Sequence, residues 1–204
     1  MAKYDVSTKE AIFDKAIELF SEEGYENVSI RTLSMEVGIK PASIYNHYPG
    51  KQAILDSIYR FYEDNMYINR LSLESAKKIV ETGSAQEISE IFLSPRYGTM
   101  LIGKRMMLIA KIIYTRMFSD EKAKTIFRKQ HATSIQYTCD VLQYGIDIGR
   151  IKPFDIETYA FTYVAQFVLI GFEEFTKDAY STHESERGEA VAKAMAAALP
   201  MIDR

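Results

Sequence analysis

Cysteine is nearly absent from this chain: Cys139 is the only one among 204 residues. One thiol cannot make an internal disulfide, and such usage fits a reducing cytosol. Cys139 itself reads as a small apolar core residue. Proline (5) and glycine (10) are sparse, so long segments can stay helical without interruption. No window approaches the ~20 apolar residues that cross a bilayer, and the opening MAKYDVSTKE holds no apolar signal-peptide stretch. A cytoplasmic protein without a membrane partner is expected. Positive charge is not in excess, with 25 Lys and Arg against 28 Asp and Glu and a net charge of -3. A general nucleic-acid coat would be basic, so indiscriminate binding is disfavoured while a small basic face remains open. Catalytic patterns are lacking too. His47, His131 and His183 are scattered without metal-ligand spacing, and no Gly-rich phosphate loop, nucleophile elbow or HExxH occurs. No enzyme activity, metal or cofactor is expected.

What is present is an ordinary globular balance, 47% apolar and 26% charged, enough for one large or two small domains. Ser7-Thr8-Lys9-Glu10 reads as a capping box, followed by Ile12, Ala16, Leu19 and Phe20 on one helical face and a stop at Gly24. Ser29 is a natural N-cap for a second helix with Ile30, Leu33 and Val37 inside. Gly38 allows a sharp turn, and Pro41 suits the first turn of a short third helix running to about His47. Pro49-Gly50 breaks it, and a long helix starts near Lys51 with Ile54, Leu55, Ile58 and either Phe61 or Tyr62 inside. Further helical patterns cover Ala85–Leu93, Tyr97–Phe118, Glu121–Gly149, Ile156–Lys177 and Glu184–Met201. No alternating strand pattern, repeat or low-complexity tract appears.

Residues Val28 to Lys51 have the layout of a helix-turn-helix: a bracing helix, a tight turn, and a short helix that lays polar tips into a DNA major groove. On the short helix Ile44 and, at i+4, Tyr48 face inward. Ala42, Ser43, Asn46 and His47 take the outward side. Pro41 and Ala42 suit thymine methyl groups, and Asn46 suits adenine. The Lys40 ammonium can reach a phosphate. Ser29 and Arg31, at the start of the preceding helix, suit a second backbone contact. Taken one by one, each has a plainer reading: Tyr45 as core, Arg31 paired with a carboxylate, Lys40 and His47 merely solvated.

The order and spacing of Ile12, Ala16, Leu19-Phe20, Glu23-Gly24-Tyr25, Val28-Ser29-Ile30, Leu33, Val37-Gly38-Ile39, Ser43-Ile44-Tyr45, His47-Tyr48 and Lys51 resemble the TetR family of bacterial transcriptional regulators. The resemblance covers about the first quarter of the chain. Lys40-Pro41 departs from the Ser or Thr that the family often places at the recognition-helix cap, and Ser34 stands where alanine is usual. The resemblance implies that Tyr45, His47 and Lys51 contact phosphates, and that a helical ligand-binding body pairs its last two long helices with a second copy. The expected fold is therefore all-α: a three-helix helix-turn-helix domain, residues 1–50, and a helical ligand-binding and dimerisation body, residues 51–204, with about nine helices in total.

One short helix reads only a few base pairs, so two copies about one DNA turn apart, a homodimer on a palindromic operator, are expected. Val164, Val168 and Phe172, with Ala190, Ala194 and Ala197 of the last helix, are the candidate interface; they could instead pack only within one monomer. Met106, Met107, Tyr114, Phe118, Tyr137, Tyr144, Phe161 and Tyr163 are the candidates for lining a pocket for a small organic effector, although such residues are commonly plain core. The resulting expectation is a ligand-responsive regulator, a repressor released from its operator by the effector. The competing reading is a helical adaptor that keeps the motif but has lost DNA binding.

Overall fold

The computed structural model describes residues 7–67, 70–84, 87–88, 91, 103–176, 190, 194 and 197–200. Among them the chain forms α1 (Thr8–Glu22), a 3₁₀ turn (Tyr25–Asn27), α2 (Ile30–Val37), α3 (Pro41–Tyr45), α4 (Lys51–Asn65), α5 (Leu73–Thr82), α6 (Lys104–Arg116), α7 (Glu121–Asp147) and α8 (Ile156–Phe175), with no strand. The all-α expectation holds. The expected helices Ala85–Leu93 and Glu184–Met201 lie mostly outside the described residues, as does the start of Tyr97–Phe118.

Two compact units divide the chain: residues 1–66 with 102–127, and residues 67–101 with 128–204. The first therefore holds more than the helix-turn-helix. Packing draws α4 and α6 into it, because α6 lies against α1 and α4. This partition by packing cuts the chain differently from the 1–50 and 51–204 division by role.

Local signals build the first unit. Ser7 caps α1, its Oγ accepting from the Glu10 N–H at 3.3 Å. Glu10 turns its carboxylate to Arg105 at 3.6 Å. Ile12, Ala16, Ile17 and Phe20 are buried beneath it. Ser29 caps α2 by accepting from the Thr32 N–H at 3.0 Å. α2 ends in a Schellman turn: Gly38 sits at φ 77°, the Ile39 N–H reaches the Ser34 carbonyl at 2.9 Å, and the Gly38 N–H reaches the Met35 carbonyl at 3.1 Å. That left-handed step suits glycine, which has no Cβ to clash. In α4 the buried residues are Ile54, Leu55, Ile58, Tyr59 and Tyr62, so Tyr62 rather than Phe61 completes the inner stripe.

The second unit has its own core of Ala76, Val80, Ile88, Ile91, Val141, Leu142, Ile151 and Leu199. α5 was not among the helices expected from the sequence. Its signals are nevertheless present: Ser72 accepts from the Ser75 N–H at 3.1 Å, Ala76 and Val80 form an i, i+4 inner pair, and Gly83 follows the last turn. Here α5 and α7 approach closely. A Cβ on Gly145 would meet Ile151 Cδ1 at 2.6 Å and Val80 Cγ1 at 3.4 Å.

Candidate nucleic-acid interface

α3 separates its faces as the spacing requires. Ile44 is fully buried and Tyr48 nearly so. Lys40, Pro41, Ala42, Tyr45, Asn46 and His47 are exposed, and Ser43 is half-buried. Tyr45 keeps 56% of its surface in solvent, so a core role is excluded within this unit. Lys40 stands at the cap of α3 in extended conformation, with no side-chain cap bond, and Pro41 takes the first helical position. Ser29 and Arg31 are exposed at the start of α2. Among the described residues no carboxylate pairs with Arg31, Lys40 or His47, whereas Lys15 pairs with Glu18, Arg105 with Asp14 and Lys122 with Asp56. Two unpaired cations, Arg31 and Lys40, beside exposed small and amide side chains make a surface fit for a polyanion with readable edges.

Lys51 departs from this pattern. Its Nζ donates to the Tyr25 carbonyl at 2.7 Å and the Val28 carbonyl at 2.8 Å, with Glu26 O at 3.5 Å, and lies 4.2 Å from the centre of the Tyr25 ring. The ammonium thus ties the first turn of α4 to the 3₁₀ turn that leads into α2. A lysine at a helix N-terminus opposes the helix dipole, and the three carbonyls compensate. In the DNA-free chain the geometry gives Lys51 a bracing role. Lys51→Met should lower the unfolding free energy by about 2 kcal/mol, the scale of hydrogen bonds to a charged group. Thermal melts without DNA check this, since a pure phosphate contact would leave the melt unchanged.

A second brace was not legible in the sequence. Arg116, near the end of α6, donates to Glu26 Oε1 at 2.9 Å and to Asp120 Oδ2 at 3.2 Å, and its guanidinium lies 4.3 Å from the Tyr25 ring centre. Tyr59 of α4 donates to the same Asp120 oxygen at 3.1 Å. The other oxygen accepts the Lys122 and Ala123 N–H groups at 2.9 and 3.1 Å, which caps α7. Burial alone would push the Asp120 carboxyl up, but the Ala123 N–H, the Arg116 guanidinium, the Tyr59 hydroxyl and the Lys122 N–H outweigh it and hold it below the usual aspartate range. Burial, with the Asp120 charge beside it, pushes the Tyr59 phenol well up. These groups join the turn before α2 to α4 and α6.

The candidate pocket residues are divided between the units. Met106, Met107, Tyr114 and Phe118 belong to the first, and Tyr137, Tyr144, Phe161 and Tyr163 to the second. Tyr114 is core, with its ring 5.0 Å from that of Phe127. Phe118 is 88% and Phe161 64% exposed, so neither is enclosed. In the second unit a cleft of about 590 Å³ is lined by Tyr67, Arg70, Leu71, Ser72, Leu73, Ala132, Thr133, Gln136, Tyr137 and Asp140. Only Tyr137 is shared with the expected set. Its phenol is pushed up by burial, against the Arg70 charge.

Of the candidate interface residues, Val164 is buried, Val168 half-buried and Phe172 exposed, and Ala190, Ala194 and Ala197 are exposed. Leu169, 57% exposed, extends this bare side of α8. Among the described residues no group of His, Cys, Asp and Glu could hold a metal, and no helix is long and apolar enough to cross a membrane.

The family model described as "Bacterial regulatory proteins, tetR family" matches residues 12–58. The biofilm operon icaADBC negative transcriptional regulator IcaR of Staphylococcus epidermidis is 37% identical over 75 residues, covering 31% of this chain and 40% of that protein. The match thus spans well under half of the relative. Two solved structures share the fold along nearly all of the chain. The ketosteroid transcriptional regulator KstR2 of Mycobacterium tuberculosis has a TM-score of 0.66 at 15% identity, covering 96% of each chain. A transcriptional regulator from Saccharomonospora viridis, solved in complex with choline, has a TM-score of 0.62 at 18% identity, covering 96% of this chain and 98% of that one. At such identities they show the fold alone. Residues 12–58 thus carry the N-terminal motif of the bacterial regulatory proteins of the tetR family, and the helical architecture around them is one shared with transcriptional regulators of known structure.

Proposed function

We propose that the chain is a ligand-responsive transcriptional repressor of the cytoplasm, which binds a palindromic operator as a homodimer and is released by a small organic effector. The observation that carries this reading is the exposed side of α3, where Lys40, Pro41, Ala42, Tyr45, Asn46 and His47 stand together over a buried Ile44 and Tyr48. Asn46 hydrogen-bonds a base edge, Pro41 and Ala42 pack on methyl groups, and Ser43 lies close to the groove floor. Tyr45, His47 and Lys40 grip phosphates, and Ser29 with Arg31 grips the backbone from the start of α2. Lys51 positions this surface from beneath.

A second copy supplies the second reading head, through the bare side of α8 and the exposed Ala190, Ala194 and Ala197. The division by role, residues 1–50 for reading and 51–204 for effector and pairing, is part of this reading. The effector binds the helical body. The chain passes between the two packing units at 66/67, 101/102 and 127/128, the first next to α4 and the last within α7, and covalent continuity gives an effector-induced shift a route to the reading head. Differential affinity of the effector for the released form drives the change. The choline complex of a structural relative supports an effector site in this architecture.

A gel-shift with fragments of the host genome tests the proposal. One discrete retained fragment is expected, with affinity falling steeply as salt rises, because several phosphates are neutralised per dimer. Retention of no fragment at low salt would leave the helical adaptor as the better reading.

A further inference from the structure

Within the second unit, the cleft between the entry to α5 and the middle of α7 has a volume of about 590 Å³, within the range for small organic ligands. We propose that it is an oxyanion site for a small organic monocarboxylate, whose charged end meets Arg70 and Tyr137 and whose apolar body lies along Leu71, Leu73 and Ala132. This deepens the effector half of the proposed function and rests on it.

Arg70 is the anchor. Its guanidinium lies 4.0 Å from the centre of the Tyr67 ring and 4.6 Å from that of Tyr137. Tyr67 is itself fixed by donating its hydroxyl to the Gln130 carbonyl at 3.1 Å. Two aromatic faces attract a cation and orient its plane, but they offer no lone pair for its N–H groups. Arg70 Nη1 is buried without a hydrogen-bond partner, and so is the Tyr137 hydroxyl. No carboxylate among the described residues pairs with Arg70. Buried polar groups in native proteins are normally satisfied, so one guanidinium nitrogen and a phenol without acceptors, on two residues of one cleft wall, indicate an acceptor supplied from outside. The planar fork of arginine matches a carboxylate. Ser72 and Leu73, at the N-terminal end of α5, line the same cleft, where the helix dipole favours negative charge. Asp140 is also on the wall, accepting from Gln136 Nε2 at 2.8 Å. Its charge opposes a dianion, which selects a singly charged carboxylate over phosphate.

Isothermal titration of the full chain, without DNA, tests the site with benzoate and hexanoate, their uncharged counterparts benzyl alcohol and hexanol, and inorganic phosphate. Each carboxylate should bind at least about tenfold more tightly than its alcohol. Arg70→Gln should erase that difference, Arg70→Lys should retain part of it, and Tyr137→Phe should weaken the carboxylate severalfold. Circular-dichroism melts establish that each variant folds; should Arg70→Gln not fold, the other two variants decide. Equal affinity for carboxylate and alcohol, wild-type selectivity in the folded variants, phosphate binding as tight as benzoate, or no carboxylate binding up to about 10 mM would each overturn the inference. Because no DNA is present, such a failure leaves operator binding untouched. Conversely, a protein that binds benzoate but ignores every duplex would sink the repressor reading alone.

Discussion

Arg116→Met should lower the unfolding free energy by about 3 kcal/mol, the scale of breaking a largely buried ion pair from one side. The Arg116 and Asp120 side chains are only 15% and 13% exposed. Without the guanidinium, Asp120 keeps the Tyr59 hydroxyl and two backbone N–H groups but loses its countercharge, and Glu26 loses its partner. Asp120→Asn should cost less, because its N-cap acceptor survives in part. Denaturant unfolding of both single variants and the double variant should show coupling, with the double costing less than the sum. The pH dependence has a defined sign. The folded-state Asp120 carboxyl lies below its ordinary value, so its contribution is fully present above about pH 5 and is lost as pH falls through its folded value. Below the ordinary aspartate pKa of about 3.9 the wild-type advantage over Asp120→Asn should therefore shrink. A constant difference across that window would contradict the assigned network.

Tyr45→Ala should weaken operator binding about a hundredfold while leaving the thermal melt near that of the wild type. A charged-group hydrogen bond of about 1.5 kcal/mol lost at each of two heads sums to roughly 3 kcal/mol. The half-exposed ring contributes little to the core, so stability and binding should separate. A parallel fall in both would make Tyr45 a packing residue. Asn46→Ala should act differently: about 1–3 kcal/mol lost chiefly against one base pair, with relaxed preference there. Competition gel-shifts on single-base operator variants read that difference.

The N-terminal unit was legible because its signals are local. Ser7, Ser29, Gly38 and Pro41 act within a few residues of themselves, and each does in the structure what its chemistry requires. The inward Ile44 and Tyr48 follow from a single helical period. What escaped depends on partners distant in sequence. Nothing in the sequence near Lys51 points to the carbonyls of Tyr25, Glu26 and Val28, on which its ammonium lies. Nothing in the sequence near Arg116 points to Glu26, and nothing near Arg70 points to Tyr137. Residue type alone does not distinguish core from cavity wall among the aromatic and methionine residues of the body: Tyr114 packs in a core while Phe118 lies in solvent. The marks of α5, Ser72, Ala76, Val80 and Gly83, are faint in the sequence. Its apolar face is carried by few residues and is flanked by charged ones.

Hydroxyl-radical footprinting of the retained genomic fragment tests the central claim most directly. Two protected patches are expected, related by two-fold symmetry and centred about one helical turn, roughly 34–36 Å, or a small multiple apart, and both should vanish together in Tyr45→Ala. A single unsymmetrical patch, or protection that survives the loss of Tyr45, would show that α3 does not read the duplex as one half of a pair.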